Sequence, residues 1–130
     1  PIQRKPSDCW RAQCFVGAHT ASVGEWSLRY DIGVANMTYG TDFPHSGSPW
    51  GVSDSFLQAT MGAADVSEAE ARAILGENTA RFYGMDVSAL APIVERVGPR
   101  PEDILQPATY AAIAEMPEYL QSKVRRPDSA

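Results

Sequence analysis

Two short apolar runs, Cys14-Phe15-Val16-Gly17-Ala18 and Met37-Thr38-Tyr39-Gly40, flank a stretch that opens on Ser22-Val23-Gly24-Glu25. This spacing constrains the fold more than any other feature of the chain. Both runs are too short for helices and are closed by polar or turn residues, so each reads as a buried strand, the first covered on both faces. The tetrapeptide between them matches a capping box, in which a Ser hydroxyl and a Glu carboxylate satisfy free amides at a helix start. A helix is therefore expected over Ser22 to Ile32, with Val23, Trp26 and Tyr30 on one face and Gly33 as terminator. A crossover that contains a helix makes the two strands parallel neighbours joined in the right-handed sense. His19 and Asp42 then emerge at the same end.

Asp42 lies just past the carboxyl end of the second strand. Phe43 precedes Pro44 and is biased towards an extended backbone, and residues 45–51, His-Ser-Gly-Ser-Pro-Trp-Gly, have loop composition. In parallel α/β folds the ligand site lies outside the carboxyl ends of the strands, so an acid there is well placed for chemistry. An Asp that caps its own turn fits the same spacing. Composition and order leave both readings open.

Downstream, Ser53 to Met61 reads as a short helix, and Ser67-Glu68-Ala69-Glu70 is a second capping box. Ala71, Ile74, Leu75, Asn78 and Phe82 share a helical face, with Gly76 as a kink and Gly84 as the stop. Leu90, Ile93, Val94 and Val97 repeat the pattern, with Pro92 early enough in its helix to be tolerated. Pro107 to Gln121 is expected to be helical with an interruption near Pro117, and Arg125 to Ala130 to fray. At the other end, Pro1 to Arg11 reads as an extended lead-in with one turn at Pro6 to Trp10, ordered only by docking. No internal repeat or heptad run occurs, and Ser46-Gly47-Ser48 lacks the Lys and following helix of a phosphate loop.

The 130 residues suit one domain with a real core, 44% of them hydrophobic and 21% charged. A net charge of -5 argues against nucleic acid and anionic membrane surfaces, and Arg125-Arg126 is too small a basic patch to change that. No apolar run approaches the roughly 20 residues of a membrane span, and no signal-peptide core is present. A cytoplasmic protein is expected. Cys9 and Cys14 match neither a zinc nor a redox spacing and read as reduced, partly buried packing residues. A chain that begins with Pro is expected to be a processed product or a fragment.

Two parallel strands do not make a self-sufficient layer, because each leaves an edge that parallel sheets normally bury. Residues 36–45, Asn-Met-Thr-Tyr-Gly-Thr-Asp-Phe-Pro-His, followed by residues 74–84, Ile-Leu-Gly-Glu-Asn-Thr-Ala-Arg-Phe-Tyr-Gly, resemble the end of an amidohydrolase-related metal-dependent hydrolase of the aminocarboxymuconate semialdehyde decarboxylase-like kind. The lead-in Lys5 to Arg11 and the strand Cys14 to Ala18 resemble the stretch before the seventh strand of that family's barrel. The resemblance covers roughly residues 5 to 100. It implies an α/β fold, the C-terminal portion of a (β/α)8 TIM barrel, with residues 1–62 as the last two βα units and 63–130 as a helix-rich extension.

By the same resemblance Asp42 is the metal-binding aspartate of the eighth strand and helps activate a metal-bound water. The implied cofactor is a divalent metal, zinc, one per complete site. His45 matches a histidine of the Asp-aromatic-Pro-His stretch and is placed in the loop beside the site, with a plain surface histidine as the alternative. Trp50 either lines a substrate mouth or simply packs. His19 reads as a solvated strand-end residue and Arg81 as half of a surface ion pair.

The family's His-x-His pair is absent, since the chain has only His19 and His45. A barrel also needs about 250 residues. The expected protein is part of a hydrolase or non-oxidative decarboxylase acting on a small carboxylated or carbonyl substrate, inactive alone. It would associate with itself or with the missing N-terminal part. The alternative is a non-catalytic helical remnant that pairs through its strand edges.

Overall fold

The computed structural model describes residues 3–124. Its organising unit is a parallel pair of strands, β1 (Val16–Ala18) and β2 (Met37–Tyr39), in the register Val16 to Met37, Gly17 to Thr38 and Ala18 to Tyr39. The crossover carries α2 (Val23–Ser27), whose Ser22 hydroxyl accepts from the Glu25 amide while the Glu25 carboxylate accepts from the Ser22 amide. A turn at Leu28 separates it from α3 (Arg29–Ile32). Gly33 then stops the helix at φ 99°, a conformation that costs glycine little and other residues much. The expected strand, helix, strand order and the parallel pairing are both present.

The break at Leu28 changes which side chains face inward. Trp26 is fully buried, but Tyr30 is exposed and Arg29 is buried in its place. The strands also differ from expectation, because only one face of the pair is covered. Val16, Ala18, Met37 and Tyr39 pack on the core around Trp26, Leu57, Met61, Ile74 and Ile104, whereas Gly17 is exposed on the open side. Alternation across a strand makes that outcome unavoidable when a single layer of helices covers the sheet.

The lead-in is more ordered than a single turn. It forms α1 (Pro6–Gln13), with Pro6 at the first helical position, and it docks through Trp10, whose Nε1 donates to the Ile32 carbonyl at 2.7 Å. Cys9 and Cys14 are free and half-buried. Asn36 reaches back from the turn before β2, and its Nδ2 donates to the carbonyls of Arg11 at 3.2 Å and Cys14 at 2.7 Å.

After β2, α4 (Ser53–Thr60) leads to α5 (Glu68–Arg72), which starts on the second capping box. The expected kink at Gly76 takes the form of a π-helical turn over Ala73–Glu77, continued as α6 (Asn78–Tyr83) and ended by Gly84 at φ 65°. Phe82 leaves the shared face. It is half exposed and meets Phe15 with ring centroids 4.5 Å apart. The chain continues through α7 (Val87–Val97), α8 (Pro101–Leu105), α9 (Tyr110–Ala114) and α10 (Glu118–Val124).

α8, which the spacing of apolar residues missed, puts Ile104 into the main core. α9 and α10 bring Met116 and Leu120 against Phe56 and Ala59, and Pro117 separates those two helices as expected. α7 departs most from its reading. Its Leu90, Ile93, Val94 and Val97 are exposed, and Pro92 stands in the second turn, where its missing N–H removes a helical bond. Arg125 to Ala130 lie outside the described residues. No helix is long and apolar enough to cross a membrane among the described residues.

Candidate functional site

The ladder runs one step beyond the strands, since the Gly40 amide donates to the Ala18 carbonyl at 3.1 Å. His19 and Asp42 therefore leave from the same end of the sheet. Asp42 adopts the left-handed conformation at φ 56°, which Asp tolerates better than most residues but still at a cost. Asp42 to His45 form a tight turn around Pro44. The Phe43–Pro44 bond is cis, and the His45 amide donates to the Asp42 carbonyl at 2.9 Å.

The turn is thus closed by the main chain of Asp42. Its carboxylate accepts from no backbone amide among the described residues, and its side chain is 55% exposed. Turn capping does not account for it. The nearest basic atom is Nδ1 of His45, 3.7 Å from Oδ2. That nitrogen also accepts from the Gly47 amide at 3.1 Å. The two side chains lie closer than an extended turn would allow.

Between these tips and the amino end of β1 runs a cleft of about 450 Å³ along the open face of the sheet. Asp42 and His19 stand at its polar end. Phe15, Phe82 and Tyr83 close the other end, with Gly17 and Thr38 as the sheet surface between. The exposed position of Gly17 leaves that surface low, and Thr38 turns its hydroxyl into the sheet to donate to the Val16 carbonyl at 3.2 Å. Tyr39 borders the cleft, and burial pushes its phenol up to about 12, with Ser53 opposing the rise and the Asp54 carboxylate adding to it. Tyr39 thus stays neutral at physiological pH.

Trp50 packs against Phe43, with centroids 4.7 Å apart, and neither it nor His45 lines the cleft. Arg81 forms no ion pair among the described residues. It donates to the Ala35 carbonyl and stands 5.4 Å from the centre of the Phe15 ring, so it braces the turn before β2. Among the described residues no group of three or more His, Cys, Asp or Glu is placed to hold a metal ion. Asp42 alone presents an unengaged carboxylate at the strand tips, which suits one ligand of a set and not a complete site.

The residues that sequence reasoning missed are those that anchor the amino ends of the two strands. Asn36 and Asn78 are buried polar groups, and Asn78 sits on an otherwise apolar helix face. An amide at a core position is itself a signal, because it must be hydrogen-bonded there.

A family model described as amidohydrolase matches residues 13–85, more than half of the chain, and spans both strands, Asp42 and α6. No curated protein and no solved structure matches the chain.

Proposed function

The chain belongs to the amidohydrolase family, and from that premise we propose that it forms the last two βα units and helical extension of a metal-dependent hydrolase barrel. Asp42 is its metal ligand and catalytic carboxylate. The observation that carries this reading is a free, exposed carboxylate at the tip of β2, beyond the carboxyl ends of two parallel strands and held in a left-handed turn. Such a position is where (β/α)8 enzymes place their chemistry.

A divalent cation bound there, zinc as the family resemblance implies, would lower the pKa of a bound water towards neutrality. Asp42 would hold that centre with one oxygen and accept a proton with the other. Phe15, Phe82 and Tyr83 would close the opposite end of the cleft against water, and His45 and Trp50 would shape the loop beside Asp42. The substrate class is a small carboxylated or carbonyl compound, cleaved by hydrolysis or by loss of carbon dioxide, in the cytoplasm. The remaining ligands would come from other strands, which would cover the open face of the sheet, either within one larger protein or through association.

Two measurements test the proposal. The reading frame around this chain should encode a His-x-His pair on an earlier strand. In its full product, Asp42→Ala should abolish turnover and release metal while leaving the circular dichroism spectrum unchanged. Full metal content and activity in that variant would remove Asp42 from the site.

A further inference from the structure

We infer that Asn78 is a positioning residue, a clamp that fixes where β2 begins and hence where Asp42 ends up. Its role towards a metal centre rests on the function proposed above; the clamp itself does not.

The two strands are three residues each, and one of the paired positions is Gly17. So short a ladder contributes few hydrogen bonds to its own register, and a slip of one residue would move Asp42 by about 3.3 Å and turn the packed face of the pair outward. The packed face opposes that slip, and contacts beyond the ladder add to it. In the parallel ladder the Gly40 amide points at β1, to Ala18, so the backbone groups of Met37 and Tyr39 point the other way, off the outer edge of β2. The Asn78 amide occupies that edge.

Asn78 is 5% exposed and begins α6 directly after the π-helical turn. Nδ2 donates one hydrogen to the Met37 carbonyl at 2.7 Å and the other to the Val34 carbonyl at 2.8 Å. Both donors are thereby used, and they bracket the 3-10 turn Val34–Asn36 that feeds the strand. Arg81, one turn later, donates to Ala35 within the same segment and to Asn78 Oδ1 at 3.4 Å, which fixes the orientation of the amide. Three carbonyls around the start of β2 are held from one helix. An apolar residue of similar volume would fill the space without specifying the alignment.

The test is amide hydrogen exchange in this chain, comparing the Gly40 amide, which reports the ladder, with the Met61 amide, which donates to Leu57 at 2.7 Å in α4 and reports the core. Asn78→Ala should speed exchange at Gly40 by about tenfold or more relative to Met61, the change that loss of a buried hydrogen bond produces. Asn78→Ser, which retains one donor, should fall between. A role confined to packing would speed both amides together, and that result, or no change at either, overturns the inference.

A second arm loads the full protein with cobalt(II). Asp42→Ala should lose the ion, while Asn78→Ala should bind it about 10- to 100-fold more weakly, as residues that orient a ligand do. Binding lost in Asp42→Ala but unchanged in Asn78→Ala would contradict the positioning role. Binding unchanged in Asp42→Ala would remove the metal reading and leave the exchange result to judge the clamp.

Discussion

Glu70 serves two partners at once. Its Oε2 closes the capping box by accepting from the Ser67 amide at 2.9 Å, and its Oε1 receives Arg29 Nε at 3.2 Å. Arg29 is buried on α3 and also donates to the carbonyls of Trp26, Ala64 and Asp65. Burial pushes the Glu70 carboxyl up, but the Ser67 amide, Tyr30 and Arg29 together outweigh it and hold the group at about 2. A folded-state value below the ordinary 4.5 stabilises the protein above that ordinary value. The contribution, about 3 kcal/mol, is lost as pH falls from about 4.5 through about 2. Urea unfolding from neutral pH down to about pH 2 should show that loss, and Glu70→Gln should flatten the profile over the same range. Arg29→Ala should cost about 3 kcal/mol, because it leaves a largely buried carboxylate without its cation. Asp42 calls for the opposite result. Because it holds a left-handed backbone, Asp42→Gly should leave thermal stability unchanged or raise it by about 1 kcal/mol, whereas a structural turn residue would lose stability.

At the level of elements, Gly33 joins the crossover helix to β2, and a Cβ there would stand 2.8 Å from Asn36 Oδ1. Gly33→Ala should therefore both strain φ and displace the Asn36 amide from Cys14, lowering stability by about 1–3 kcal/mol in thermal or urea unfolding. The elements legible in the sequence are those written in local chemistry. Two capping boxes marked helix starts, Gly33 and Gly84 marked helix ends, and the apolar runs at 14–18 and 37–40 marked the strands. What could not be read depended on contacts distant in sequence. α1 is fixed by Trp10 reaching Ile32, and Arg29 turns inward only because Leu28 breaks the helix and Glu70 waits 41 residues away. Arg81 looked like a surface charge, since nothing in its own helix reveals that the Ala35 carbonyl lies within reach. For the site, the strand-tip position of Asp42 was readable. Its turn was not, because a proline alone does not specify which way the chain reverses.

Among the described residues, helices cover one face of the two-stranded sheet, α9 and α10 pack in turn on α4, and several large apolar side chains stay exposed. The open sheet face carries the aromatic end of the cleft, and α7 exposes Val87, Ile93, Val94 and Val97. Exposed apolar side chains clustered on one helix face suit contact with other protein. The chain alone should therefore self-associate at micromolar concentration, and a monomeric mass by sedimentation would count against the missing-strand account. In the reading proposed above, this chain contributes one metal ligand, Asp42, to a site completed by others. Titration of the isolated chain with zinc by calorimetry should show no saturable site in the micromolar range, because a single carboxylate lacks the three protein ligands that catalytic zinc normally takes. One zinc bound tightly per chain, and lost in Asp42→Ala, would contradict it and make His19, Asp42 and His45 a site in their own right.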